Sequence, residues 1–295
     1  MKKLLFVMNP YAGMRKANRY LTDIITIFNR ADYDVTAYMT SGSGDAQRMV
    51  TERAAEMDLV VCAGGDGTFN ETVNGILRSG ADTPIGYIPC GSTNEFASSL
   101  KLPANILKAA QLIVDGVPNR YDVGKFGDRY FSYVASFGAF TKASYSTPQN
   151  VKNALGHTAY VLEGIQELSQ LKTTHDRFEL DDRVIEDDFL FGMVTNSTSV
   201  GGFKGITGKF VDLSDGVFEV TLIKRPRSLE DLNQIISALT MKDIDAAQMY
   251  CFKTSYLRFE CEEAVAWTLD GEREDGHEKV SVENLHHAIA LITKG

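Results

Sequence analysis

The chain has little cysteine. Four thiols in 295 residues, Cys62, Cys90, Cys251 and Cys261, form no C-x-x-C pair and no dense framework. That excludes a disulfide-stapled scaffold and leads us to expect reduced thiols in a cytoplasm. Long apolar runs are missing too. The basic start Met1-Lys2-Lys3 precedes an apolar run, Leu4 to Met8, that is too short for a signal peptide, and no run reaches the length of a membrane span. Histidine is scarce. The His286-His287 pair and the lone His157, His175 and His277 show no metal-ligand spacing, which points to surface or core roles. Positive charge is in deficit: a formal net charge of −9 argues against a nucleic-acid partner, and an anionic membrane would have to meet a local basic patch. There is no low-complexity linker and no repeat of solenoid period. What remains, 44% hydrophobic and 23% charged residues, is an ordinary globular composition, long enough for two domains or one large one.

What is present is organised around one stretch, 59-LVVCAGGDGTFNETVNGIL-77. Leu59 to Ala63 reads as an apolar strand and Gly64-Gly65-Asp66-Gly67 as a turn. The continuation reads as a helix with Phe69, Val73, Ile76 and Leu77 on one face. Thr68 and Glu71 have the spacing of a capping box. A strand that turns through glycines into a helix start offers backbone N–H groups and the positive end of a helix dipole to a phosphate. Asp66 adds a carboxylate suited to Mg²⁺, directly or through water. Two familiar phosphate loops are excluded, because there is no G-K-[ST] ending and no third glycine at the dinucleotide spacing. Phosphate charge must then be met by backbone dipoles, by metal or by cations from elsewhere. A plain strand–turn–helix joint is the other reading of the same glycines.

The flanking chain repeats the pattern. Residues 4–8 form a strand ending in Asn9-Pro10-Tyr11-Ala12-Gly13, followed by a helix with Leu21, Ile24, Ile25 and Phe28 on one face. Asp34 to Thr40 is a strand, Ser41-Gly42-Ser43-Gly44 a turn, and a polar helix runs to about Glu56. Ile85 to Ile88 is a short buried strand, Pro89-Cys90-Gly91-Ser92 a turn, and a helix starts near Thr93, with Ser92 and Glu95 at capping-box spacing. Four such units imply a parallel sheet covered by helices with right-handed crossovers. Such sheets bind ligands outside the carboxyl ends of their strands, where Asn9 to Gly13, Thr40, Gly65 to Glu71 and Ser92 all fall.

After an amphipathic helix from Ile106 to Val114 the texture changes to strands. Tyr121 to Phe126 and Arg129 to Phe137 read as a hairpin; Phe178 to Ile185, Phe189 to Asn196, Val217 to Ile223, Tyr256 to Cys261 and Val265 to Leu269 as further strands. Helices are expected at about Ala154 to Leu171 and at Leu229 to Leu239, the latter with Ser228 as N-cap. The second half therefore reads as an antiparallel β-sandwich. Asp270-Gly271-Glu272 fits either a turn that projects two carboxylates or a plain Asp-Gly hairpin turn. Asp212-Leu213-Ser214-Asp215-Gly216-Val217 also reads as an Asp-Gly turn, and Asp122 as an acid at a strand start.

The run GGDGTFNETVNG resembles the nucleotide loop of the diacylglycerol kinase-like lipid kinases, a superfamily that also holds sphingosine kinases and NAD kinases. The fit is closest to the soluble bacterial diacylglycerol kinases and extends along nearly the whole chain. The resemblance implies an NAD kinase-like α/β nucleotide-binding domain over 1–122, to which a tail, 286–295, returns, and a β-sandwich lipid domain over 123–285. It implies ATP as co-substrate, held by Asn9, Pro10, Tyr11, Ala12, Gly13, Thr40, Gly65, Asp66, Gly67, Thr68, Phe69, Asn70, Glu71 and Ser92. Ser92 and Glu95 stand where threonine and aspartate are commoner, and either change keeps the chemistry. Glu272 is implied as the catalytic base, Asp270 as sharing that role or helping to hold metal, and Asp66 with Asp122 as acting on catalytic Mg²⁺. A separate structural Mg²⁺ is implied on the Asp215 side chain and main-chain oxygens of Asp212 and Val217. The expected reaction phosphorylates the hydroxyl of diacylglycerol. Another lipid acceptor (a long-chain base, ceramide or phosphatidylglycerol), an NAD kinase or an inactive binding module stays open, as does a homodimer. Such an enzyme is expected to be cytoplasmic and to dock on membranes peripherally, with Arg15, Lys16 and Arg19, or Arg225 and Arg227, as the densest basic clusters.

Overall fold

The computed structural model describes residues 1–15, 17–138, 173–200, 203–204, 211–241 and 247–295. The chain forms two compact units, one of Met1–Val123, Leu213–Gly216 and Leu285–Gly295, the other of Gly124–Asp212 and Val217–Asn284. The expected helix at 154–171, with His157, lies outside the described residues.

The first unit alternates strand and helix: β1 (Lys2–Met8), α1 (Leu21–Arg30), β2 (Tyr33–Met39), α2 (Asp45–Arg53), β3 (Leu59–Gly64), α3 (Asp66–Ser79), β4 (Ile85–Pro89), α4 (Glu95–Ser99) and α5 (Ile106–Asp115). Its strands pair in parallel in the order β2-β1-β3-β4, and Leu291 near the C-terminus pairs in parallel with Ile85. β3 and β4 are buried along their whole length, which is why they read as unbroken apolar runs without alternation. Phe6, Val61, Ile88, Ile24, Phe28, Ile113 and the tail residue Ile292 share one core. Gly86 admits α5, since a Cβ there would stand 2.8 Å from the Ile113 side chain.

Neither expected capping box forms. α3 begins at Asp66 with Gly65 before it, so Thr68 already lies inside the first turn. Glu71 serves the neighbouring helix instead: its carboxylate accepts the N–H groups of Gly44 at 2.7 Å and Ala46 at 3.1 Å, at the start of α2. α4 begins only at Glu95, and the preceding Asn94 closes its side-chain amide onto Gly91 N–H and C=O, both at 2.9 Å. Arg19 of the basic cluster lies in a 3-10 turn, Ala17–Tyr20, that precedes α1.

The second unit is antiparallel. The strands are β5 (Val117–Phe126, which starts in the first unit), β6 (Arg129–Phe131), β7 (Val134–Gly138), β8 (Thr174–Glu179), β9 (Val184–Thr195), the two-residue pair β10 (Ser199–Val200) and β11 (Phe203–Lys204), β12 (Phe218–Lys224), β13 (Met249–Thr254), β14 (Tyr256–Leu269) and β15 (Glu272–Thr293). The helix α6 (Leu229–Met241) starts as expected, with Ser228 Oγ accepting the Asp231 N–H at 3.1 Å. The long strands β9 and β14 are bridged by β7 at one end and by β8 at the other, so the sheet closes around an aromatic core. Trp267 lies against Phe126, Phe137 and Phe259, with centroids 4.8 to 5.2 Å apart. Burying each such side chain stabilises the fold by about 1.5–3 kcal/mol.

Three strand assignments change. Tyr256 to Leu269 is one strand, irregular between Glu260 and Val265 and not divided there by a turn. Phe178 to Ile185 is two strands, because Leu180 N–H turns back to Arg183 C=O at 2.9 Å. Arg129 to Phe137 breaks at Ser132 and Tyr133, whose amides have another partner, described below.

Candidate active site

In the first unit the sheet order reverses direction between β1 and β3, so their following loops part and leave a crevice at the carboxyl ends. The loops are tied across it. Asn9 Nδ2 donates to Thr68 Oγ1 at 3.3 Å, and Asn9 Oδ1 accepts the Tyr11 N–H at 2.9 Å. Thr40 is buried and its N–H meets Met8 C=O at 2.9 Å. Cys90 N–H donates to Gly64 C=O at 2.7 Å, bringing the loop after β4 against the glycine turn. These approaches require glycine. A Cβ on Gly91 would sit 2.6 Å from Gly65 Cα, and one on Gly13, whose φ is +52°, would overlap the Cys90 carbonyl oxygen.

Around this crevice α3 starts at Asp66 after Gly65, which has no side chain to cap it, so the turn presents backbone amides and a half-buried carboxylate. Pro10, Tyr11, Ala12, Gly65, Gly67 and Ser92 line the same loops. Three expected nucleotide contacts have side chains engaged elsewhere. Phe69 stacks on Tyr87 at 4.4 Å and on Phe96 at 5.0 Å; Asn70 Oδ1 accepts from Asn74 Nδ2 at 3.1 Å; Glu71 caps α2. An oxygen donor beside such a turn fits Mg²⁺, which takes one or two carboxylates, waters and phosphate oxygens.

Asp122, also in the first unit, has a different setting. It is fully buried, with Oδ2 accepting Gly216 N–H at 2.7 Å and Oδ1 accepting His287 N–H at 2.8 Å. His286 Nδ1 lies 3.0 Å from the same Oδ1. Asp215 is exposed in the turn before β12, with Gly216 at φ +79°.

In the second unit the Asp270-Gly271-Glu272 turn is built on left-handed backbone at Asp270 (φ +50°) and Gly271 (φ +86°). Asp270 is buried, and its carboxylate accepts three consecutive amides: Ser132 at 2.5 Å, Tyr133 at 2.9 Å and Val134 at 3.0 Å. That explains the break between β6 and β7. It also makes Asp270 a clamp that joins the turn to the Ser132–Val134 backbone. Glu272 is half exposed, 3.8 Å from Arg129, which pairs more closely with Glu274. His277 Nε2 meets Glu274 at 3.3 Å. Sequence reasoning missed Ser132, Tyr133, Val134 and Arg129. The first three act through backbone amides, which no side-chain pattern records.

Of the basic clusters, Arg19 is exposed and Lys16 lies outside the described residues. Arg227 is 3.7 Å from Asp187. No helix among the described residues is long and apolar enough to cross a membrane.

Residues 3–126 match the diacylglycerol kinase catalytic domain family, and residues 134–293 the YegS C-terminal NAD kinase beta sandwich-like domain family. A diacylglycerol kinase of Bacillus subtilis (strain 168) is 32% identical over 274 residues, 92% of this chain and 90% of the relative. The chain belongs to the diacylglycerol kinase family. Another member, from Staphylococcus epidermidis (strain ATCC 35984), is 35% identical over 238 residues, 80% of this chain and 74% of its own length. The solved structure of a Bacillus anthracis (strain Sterne) diacylglycerol kinase shares the family fold, with a TM-score of 0.77 at 24% identity over 99% of this chain and 97% of that one. A second structure from the same strain gives a TM-score of 0.81 at 26% identity, covering 99% and 95%. The two-domain reading, a parallel α/β domain with an antiparallel sandwich-like domain, is that of the family.

Proposed function

We propose that this chain is a Mg²⁺-dependent lipid kinase that transfers the γ-phosphoryl group of ATP to the hydroxyl of diacylglycerol, giving phosphatidic acid. Membership of the diacylglycerol kinase family supports the class. The observation that carries the nucleotide half is the crevice of backbone amides after β1, β3 and β4, with Asp66 at its helix start and no basic residue in the glycine turn. Phosphoryl transfer asks little covalent chemistry of a protein, so positioning, charge neutralisation and one base suffice. The amides at the α3 N-terminus meet the phosphates. Asp66 would hold Mg²⁺, which when bound supplies neutralising charge on the phosphate oxygens. Glu272 takes the proton as the lipid oxygen bonds to the γ-phosphorus and the bond to the β-phosphate oxygen breaks, releasing ADP. Asp270 fixes the turn that carries Glu272. Diacylglycerol stays in the bilayer, so the enzyme docks peripherally to reach it.

The test is a transfer assay with labelled ATP and Mg²⁺ in mixed micelles, with diacylglycerol, a long-chain base, ceramide and phosphatidylglycerol in parallel, and NAD as a water-soluble acceptor. Label in phosphatidic acid is the expected result. Label in another lipid alone reassigns the acceptor, and label in NAD alone overturns the lipid reading.

A further inference from the structure

The His286-His287 pair, unremarkable as a sequence, joins Asp122 in a cluster within the first unit. One ligand atom of each of the three lies within 4.8 Å of the others. Successive residues of a strand normally point to opposite faces. His287 breaks that rule, because its φ is +55°, left-handed backbone that a residue with a side chain adopts only at a cost. The two imidazoles consequently stand on the same side, stacked with centroids 3.7 Å apart and planes 25° from parallel. Both residues are exposed, whereas Asp122 is fully buried and anchored by the Gly216 N–H on its other oxygen. Gly216 leaves the His286 nitrogen accessible, since a Cβ there would come within 3.2 Å of Nδ1.

Two imidazole nitrogens and one carboxylate oxygen form a donor set that suits Zn²⁺ and its late first-row neighbours, whereas Mg²⁺ prefers oxygen alone. The 3.0 Å between Asp122 Oδ1 and His286 Nδ1 approximates one edge of a coordination sphere with bonds of about 2.0–2.2 Å. We propose that Asp122, His286 and His287 form a binding site for a late first-row divalent cation of the Zn²⁺ class, completed by water. The His286 proton sits on Nε2 when Nδ1 ligates. The cation would tie the C-terminal strand to β5 and, through the carboxylate, to the 213–216 segment, all within one unit. Its binding is linked to the stability of that unit.

Co²⁺ is the probe, because its visible absorption reports nitrogen and oxygen ligation directly. The full chain is expected to bind one equivalent, to release it to Zn²⁺ but not to a large excess of Mg²⁺, and to melt at a higher temperature with Zn²⁺ present. His286→Ala and His287→Ala are each expected to weaken binding by about tenfold or more, and His175→Ala, at an exposed histidine outside the cluster, to leave it unchanged. His287→Gly removes the ligand while relieving the left-handed backbone, so binding is lost without loss of the fold. Full-strength Co²⁺ binding by the His286→Ala/His287→Ala double variant overturns the site, as does displacement by equimolar Mg²⁺ or the absence of saturable binding to the unaltered chain.

Discussion

Arg129 holds its guanidinium 3.8 Å from the Glu272 carboxylate, and it has a closer partner in Glu274. Glu272 stands at a half-exposed position. Exposed pairs of this kind contribute about 0–1 kcal/mol. Glu272→Gln is accordingly expected to leave the melting temperature and nucleotide affinity nearly unchanged while turnover falls by a factor of about 10² to 10⁴. Steady-state rates beside calorimetric nucleotide binding check this, and near-normal turnover removes Glu272 from the mechanism.

Asp270 is expected to behave in the opposite way. Asp270→Ala leaves three buried amides without their charged acceptor, and an unsatisfied buried donor costs about 1–3 kcal/mol. A fall in stability of about 3 kcal/mol or more is expected, with Asp270→Asn intermediate because one acceptor oxygen remains. Denaturant unfolding measures both. An alanine variant as stable as the parent would mean that the turn holds without the clamp.

Asp66→Ala is expected to lose activity and to shift the Mg²⁺ dependence of what remains, with little change in melting temperature, because the residue is only half buried. Rates measured across a Mg²⁺ series decide it. An unchanged Mg²⁺ midpoint would dissociate this carboxylate from the ion.

Glu71→Ala removes the acceptor for the amides of Gly44 and Ala46 at the start of α2. Loss of a cap costs about 1 kcal/mol, and thermal unfolding is expected to show a loss of that order. Glu71→Gln retains one acceptor oxygen and is expected to lose less. Equal losses in the two variants would mean that the carboxylate acts through its charge and not as a cap.

Asp176 provides a pH test. Burial pushes its carboxyl up to about 6 from the ordinary 3.8, with the Thr174 hydroxyl partly offsetting this. Thr174 Oγ1 donates to its Oδ2 at 2.8 Å, within the core-facing side of β8. Between those two values the folded chain keeps a proton that the unfolded chain has released, so stability falls as pH rises through that window and is level above it. Asp176→Asn is expected to abolish this fall and to be the more stable protein at neutral pH, by about 1–3 kcal/mol. Urea unfolding between pH 4 and 7 reads it directly, and parallel curves for the two proteins would refute the assignment.

The parallel unit was legible because its evidence is local. Strands buried on both faces must be continuously apolar, as at Leu59 to Gly64 and Ile85 to Pro89, and glycines must stand where backbone meets backbone, as Gly65 and Gly91 do. The strand–glycine–helix order therefore places Asp66 at the carboxyl end of β3 from the sequence alone. Helix starts were less legible, since the spacing of Thr68 and Glu71 is satisfied equally by a helix that begins three residues earlier, with Gly65 in place of Thr68 before its first turn, and lends its glutamate to α2.

What only the tertiary structure decided involves partners far apart in the chain. Asp270 meets Ser132 across 138 residues, and Asp122 meets His286 across 164. Neither pairing has a local signature, because the acceptor's partners include backbone amides that every non-proline residue possesses. The carboxylates of the Asp-Gly-Glu turn were visible in the sequence, but the division between a clamped Asp270 and a half-exposed Glu272 comes from which amides the fold brings to that turn. The same holds at His286 and His287. Alternation along a strand would separate their rings, and one left-handed φ, set by the backbone bond from His287 to Asp122, puts them together.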